Sequence, residues 1–203
     1  MLKKIIIPLG LTLALTFPLS AKAQGTYTIQ KGDSLWKIAV KNEIGLDELI
    51  SANPQLKNPS LIYPGEKISI PNLDEMKSME KEVIKLVNIE RANNGLAPLK
   101  ENWELSRVAR YKSSDMIAKN YFSHTSPTYG SPFKMINSFG LKFSSAGENI
   151  AMGQRTPQEV VQAWMNSPGH RSNILNKNFT EIGVGLAKDA NGNPYWTQMF
   201  IRP

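Results

Sequence analysis

Chemistry in this chain would have to start from its histidines. There are two of them, and no cysteine, among 203 residues. His170 lies in the stretch from Trp164 to Leu175, where Ser167 and Pro168 fit the N-cap and first position of a short helix, since a missing N–H costs nothing there. A histidine in that first turn has its pKa lowered by the helix dipole, which favours a neutral ring able to bind a metal or accept a proton. His124 lies in Tyr121-Phe122-Ser123-His124-Thr125-Ser126-Pro127. Ser123 beside it does not make a Ser-His pair, because sequence neighbours seldom face each other, and no Gly-x-Ser-x-Gly elbow is present. The lack of cysteine excludes thiolate nucleophiles and Cys-type zinc sites, and leaves the chain to stand on its apolar core without disulfides.

The elements that must position these residues can be read from periodicity. From Glu75 to Asn94 the apolar residues Met79, Val83, Leu86, Val87 and Ala92 keep helical spacing, and Asn94-Gly95 ends the run. Asn102 is placed to cap a second helix through Lys119. Leu105, Val108, Ala109 and Met116 form its apolar stripe, with Lys112 a boundary residue whose stem is buried. Ser131-Pro132 opens a third helix that Gly140 ends, and Thr156-Pro157-Gln158-Glu159 is a capping box opening the helix that delivers Trp164. Thr180 to Ala187 and Tyr195 to Ile201 read as strands joined by an Asn191-Gly192 turn. Trp103, Trp164, Trp196 and Phe200 read as core, while Gln198 stays undecided.

A separate small unit precedes this. Tyr27 to Ile29 alternates as a strand and Gly32-Asp33 turns the chain. Ser34 or Asp33 then caps a helix with Leu35, Ile38 and Ala39 on one face. A second short helix carries Leu46, Leu49 and Ile50, with Asp47 as its plausible cap. Pro64-Gly65 is a turn signal, and Lys67 to Ile70 closes as a strand. Gly32, Pro54 and Pro64, each taken alone, read as ordinary turn residues.

Taken whole, Tyr27 to Pro71 resembles a LysM domain. The later motifs Val87-Asn88-Ile89-Glu90-Arg91, Gly147-Glu148-Asn149-Ile150-Ala151 and Trp164 to Leu175 resemble the CAP superfamily (cysteine-rich secretory, antigen 5, pathogenesis-related 1) in its cysteine-free bacterial form. The resemblance implies an α+β chain: a β-α-α-β LysM module at 26–71, a polar connection at 72–78, and an α-β-α sandwich at 79–203. The LysM likeness implies binding of GlcNAc-containing glycan, most plausibly peptidoglycan, in a groove formed by Gly32, Asp33, Ser34, Leu35, Asn53, Pro54, Leu61, Ile62 and Tyr63. Residues 58–65 also resemble the LysM of spore-coat assembly proteins.

In the CAP family a cleft holds two histidines and two acids, which in some members bind a divalent metal. His124, Glu148 and His170 match, but the other acid falls on Ser167, and Glu181 is the candidate substitute. Two imidazoles and a carboxylate would suffice for an open zinc site, or one for another divalent metal, with Glu181 as base on the bound water. The alternative is a hydrogen-bonded polar cluster that braces the cleft, with Asn149 and Asn173 satisfying backbone groups. Glu148 and Glu181 could also act as a glycosidase pair, which their separation decides.

Met1 to Ala23 has a short basic start, an apolar run from Ile5 to Leu19 and Ala21-Lys22-Ala23 before Gln24, the pattern of a cleaved secretory signal. Removing it takes away three lysines and no acids from a formal charge of +7. The remaining basic excess lacks the runs interleaved with aromatics that a nucleic-acid surface shows. These features predict a secreted, cell-wall-associated bacterial protein, on a vegetative wall or a spore coat. Its first module would hold peptidoglycan, and its CAP cleft would face a ligand or partner not named by the sequence. A metal-dependent hydrolase of wall peptide or glycan is the alternative, and lipid or sterol binding by the CAP domain a further one.

Overall fold

The computed structural model describes residues 23–203; the expected export segment, apart from Ala23, lies outside them. In the N-terminal module, strands β1 (Ala23–Thr28) and β2 (Lys67–Pro71) pair antiparallel and are covered by helices α1 (Leu35–Lys41) and α2 (Leu46–Ser51). Ile29, Leu35, Ile38, Ala39, Ile44, Leu49, Ile68 and Ile70 form its core. Ser34, not Asp33, caps α1, its hydroxyl accepting from Lys37 N at 3.2 Å. The N-cap of α2 is Gly45, without a side-chain cap, so Asp47 lies in the first turn instead.

Helix α3 (Asp74–Asn93) begins three residues after Pro71, so most of the stretch expected as a polar connection is helical. After it come β3 (Lys100–Glu101), α4 (Trp103–Ala118), α5 (Pro132–Ser138), β4 (Ser145–Met152), α6 (Pro157–Met165), α7 (Pro168–Ile174), β5 (Glu181–Lys188) and β6 (Pro194–Arg202). The sheet order is β3-β5-β6-β4, antiparallel apart from the short β3–β5 pair. Periodicity does not predict β3 or β4, since β3 has two residues and β4 is buried on both faces.

The sheet's alternation sorts its side chains into two cores, one on each face. Ile182, Val184, Leu186, Trp196 and Phe200 meet α3, α6 and α7, with Trp164 and Val161. Met199 and Ile201 meet Leu105, Val108 and Ala109 of α4, and Met135 and Ile136 of α5. The result is a three-layer α-β-α sandwich. Trp103 departs from the expected core set, being only half-buried.

Helix α4 lies unusually close to β5. A Cβ on Gly183 or Gly185 would overlap the α4 backbone at Leu105 and Ser106, or at Ala109 and Arg110. Past β3 the outer edge of β5 has no strand partner among the described residues, and side chains take that role. Val184 N donates to Ser106 Oγ (3.1 Å) and Leu186 N to Glu80 Oε1 (3.0 Å), while on the β6 side Ser113 Oγ donates to Gly185 O (3.0 Å) and meets Thr197 Oγ1 (2.9 Å). Glu80 is buried beside Arg110, 3.3 Å away, and burial pushes its carboxyl pKa up to about 7. Gly185→Val forces α4 off the sheet, and the expected loss is more than about 4 kcal/mol of stability, read from the shift in urea midpoint.

Candidate functional site

The site is built around β4, the edge strand. Gly147, Glu148 and Asn149 do three different jobs there because successive side chains point to opposite faces. A Cβ on Gly147 would stand 2.9 Å from Phe179 and 3.2 Å from Asn173 Oδ1, so glycine lets α7 and the chain after it close on the strand. Glu148 points to the α4 side, where its Oε1 meets His124 Nδ1 at 2.7 Å. Asn149 points the other way, donating to His170 O (3.1 Å) and Gln198 Oε1 (2.9 Å) and accepting from Asn173 Nδ2 (2.8 Å). Asn173 also donates to Glu148 O (3.2 Å). One dipeptide thus fixes the His124 loop on one face and helix α7 on the other. Gln198 is completely buried in this network, with its Nε2 unpaired among the described residues.

The Glu148 side chain is only 1% exposed, whereas that of His124 is 52% exposed. Burial raises the Glu148 pKa, opposed by its hydrogen bond to His124 and by the charge of Lys112, and its Oε2 has no partner among the described residues. His170 is half-buried. Burial first, and the charge of His124 second, hold its pKa below the ordinary histidine value. The direction agrees with the sequence argument, but desolvation and a neighbouring imidazole supply it. Ser167 occupies the N-cap position of α7 without a side-chain cap bond.

Glu181 lies elsewhere. On β5, two strands from β4, its Oε2 accepts from Asn102 Nδ2 at 2.7 Å and so steadies the residue that caps α4. Two strand spacings are about 10 Å, so Glu181 does not stand in for the absent second acid beside His124. Among the described residues no group of three or more His, Asp or Glu side chains is arranged to hold a metal ion. With Glu148 committed to His124 Nδ1 and Glu181 to Asn102, the residues as placed do not fit a closed ligand set, and no chemical step is assigned to a metal here.

Periodicity alone missed what lies beneath the His124 loop. Lys112 is 1% exposed, so its ammonium does not emerge at a boundary. Its Nζ donates to Ser123 O (2.7 Å), His124 O (3.0 Å) and Tyr121 Oη (3.0 Å). One turn along α4, the Asp115 carboxylate accepts from Tyr121 Oη (2.5 Å), Ser126 Oγ (2.7 Å) and Thr128 Oγ1 (2.6 Å). These bonds hold its pKa below the usual carboxylate value despite burial. The available sequence signal was a lysine and an acid at i, i+3 followed by a loop rich in hydroxyl groups. Arg91 does similar work for α7: from α3 it donates to Ala97 O (2.9 Å), Ile174 O (2.8 Å) and Asn176 O (2.9 Å), closing the C-terminal end of α7.

In the N-terminal module, the residues expected to line a glycan groove divide into two sets. Gly32 (φ +91°), Pro54, Leu61 and Tyr63 are exposed, and Ile62 is half-buried on the core. Leu35 is core, and Asn53 is 1% exposed, stitching α2 to β2 through Leu49 O, Ser69 O and Ser69 N. Asp33 accepts from Gln30 N and Tyr27 Oη, shaping the Gly32 turn, while Ser34 is spent on its cap. On the far layer of the second domain, a groove of about 430 Å³ between α3 and α6 is lined by Leu86, Ile89, Val161 and Met165 as well as by polar side chains.

Two outcomes follow. His170 is held neutral in the fold, so its contribution to stability is present above the ordinary pKa of 6.5 and is lost as pH falls below that value toward the folded pKa. Between about pH 7.5 and pH 5.5 the urea midpoint of the unsubstituted chain should fall relative to that of His170→Gln, a comparison in which the opposite contribution of buried Glu80, whose raised carboxyl pKa is common to both, cancels. Lys112→Met leaves Asp115 and three acceptors without their buried cation, with an expected cost of about 3 kcal/mol in chemical denaturation.

The chain matches the LysM domain model over residues 27–71 and the cysteine-rich secretory protein family model over residues 84–200. It is 58% identical over 126 residues to the Bacillus subtilis protein YkwD, covering 62% of this chain and 48% of that one. It is 52% identical over 46 residues to SpoIVD-associated factor A of B. subtilis, covering 23% of this chain and 12% of that one. An extracellular SCP-domain protein from Bacillus anthracis superimposes with a TM-score of 0.59 at 36% identity, over 69% of this chain and 47% of that one. The matched region therefore spans less than half the length of each of these proteins. An N-terminal LysM domain, a peptidoglycan- or chitin-binding module, is joined here to the α-β-α sandwich, and the chain belongs to the cysteine-rich secretory protein (CAP) family.

Proposed function

We propose that this chain is an exported cell-wall protein whose LysM module anchors it to peptidoglycan and whose CAP domain presents the His124–Glu148–His170 cleft to a wall-associated ligand or partner. The observation that carries the first half is the exposed set at one end of the LysM module, where Leu61 and Tyr63 stand 53% and 55% exposed beside the Gly32 turn while their neighbours Leu35 and Asn53 are locked inside. Apolar side chains left in water suit the apolar face of an N-acetyl sugar ring. A bacterial setting and a wall location agree with the extracellular SCP protein it resembles, and the likeness to SpoIVD-associated factor A points to sporulating cells as a place to look.

For the CAP domain, presentation is favoured over hydrolysis. The buried Glu148 is engaged by His124, and Glu181, the residue expected to act as base, is engaged by Asn102 at the other side of the sheet. Cosedimentation of the purified chain with insoluble peptidoglycan tests the anchor. Leu61→Asp combined with Tyr63→Ala is expected to weaken it about tenfold, roughly 1.4 kcal/mol, while His124→Ala leaves it unchanged. Unaltered sedimentation of the double variant would remove the groove from the reading. Clearing of wall material in a zymogram, abolished by His170→Ala, would replace presentation by hydrolysis.

A further inference from the structure

We propose that the two modules move as one body, because a built interface on α3 and α4 takes the LysM module as its partner and holds the glycan groove at a fixed orientation to the His124–Glu148 site. Domains joined in one chain move relative to each other by default, unless something restrains them. Four restraints act here.

The first is the connection. Only Asn72 and Leu73 separate β2 from α3, and neither is slack: Asn72 Oδ1 accepts from Asp74 N at 2.9 Å, and Leu73 packs on the LysM core. The second is at the C-terminal end of α1, where Lys77 from the first turn of α3 donates to Asn42 O (2.8 Å) and pairs with Glu43 (3.7 Å). The third is at the opposite end of α1. The Arg107 guanidinium of α4 lies 5.0 Å from the Trp36 ring, with Phe139 at 5.6 Å and Trp103 at 5.8 Å on the CAP side. Arg107 is 5% exposed and its Nε has no hydrogen-bond partner among the described residues, so its cation is housed mainly by these rings.

The fourth is at the start of α2, where the Tyr111 hydroxyl of α4 accepts from Asp47 N at 3.3 Å beside the Glu48 carboxylate. Gly45 makes this approach possible: a Cβ there would stand 2.5 Å from Tyr111 Oη and collide with Glu48. Trp36 and Asn42 are six residues apart along α1, about 9 Å, and the Tyr111 contact falls on the neighbouring helix. Contacts spread over two helices on each side, together with a two-residue connection, resist rotation as well as separation. Trp36 directly follows the Gly32–Leu35 turn, so a glycan held at that turn meets the CAP domain next to it. A flexible tether would let the cleft sample the wall in any direction, whereas this arrangement presents it in one.

The test is nitrogen-15 relaxation on the intact two-module chain. Amides of residues 25–71 and 74–203 are expected to report the same rotational correlation time. Gly45→Leu, which leaves the CAP domain unaltered, and Arg107→Ala with Tyr111→Ala, which leaves the LysM module unaltered, should each abolish that equality. The LysM value would then fall below the CAP value while chemical shifts away from the interface stay in place. Two different correlation times in the unsubstituted chain overturn the proposal, whatever the variants do. Equal times that survive in both folded variants overturn the assignment to this interface.

Discussion

Helix α4 rests on β5 at backbone distance because Gly183 and Gly185 put no Cβ between them. Much of the molecule hangs from that seat. One side of α4 turns Lys112 and Asp115 toward the loop that carries His124, and another turns Arg107 and Tyr111 toward the LysM module. Ser106 and Ser113 bond the strand itself. Helix and sheet are therefore fixed in rotation as well as in distance, and the register of α4 decides which side chains serve the site and which serve the interface.

The His124 site is costly in electrostatic terms. Glu148, Lys112 and Asp115 are all buried, and taking charges out of water is repaid only when their hydrogen-bonding capacity is well used. Lys112 and Asp115 meet that condition, with three partners each, and what they bind is a loop with little apolar anchoring of its own. Glu148 meets it in part, with one oxygen on His124 and the other unpaired. The polar apparatus thus holds an exposed imidazole still. The Asn149–Gln198–Asn173 group does the same for α7 from the opposite face of the strand.

A chain without cysteine must find rigidity elsewhere than in disulfides. The LysM module is near the lower size limit for an independent core, and it gains buried contacts by closing on α3 and α4. The CAP domain, lacking disulfides, ties its helices with buried side-chain to backbone bonds. Arg91 holds the end of α7 and Glu80 the edge of β5, with Arg110 beside it.

The order of helices, their caps at Ser34, Asn102, Ser131 and Thr156, the β5–β6 hairpin and the division into two modules could be read from the sequence, because each is set by residues within a few positions of one another. The motifs also identified His124, Glu148 and His170 as residues of interest. Tertiary structure decided the rest, since it depends on groups far apart along the chain. Glu181 met Asn102 and not His124 because β6 lies between β5 and β4. Lys112 was drawn inside by carbonyls of a loop that folds back over α4, and the Asp47 amide in the first turn of α2 found its partner in the Tyr111 hydroxyl, sixty-four residues away. Local periodicity can say which face of a helix is apolar. Only the packed fold shows which polar side chains find enough partners to be buried with it.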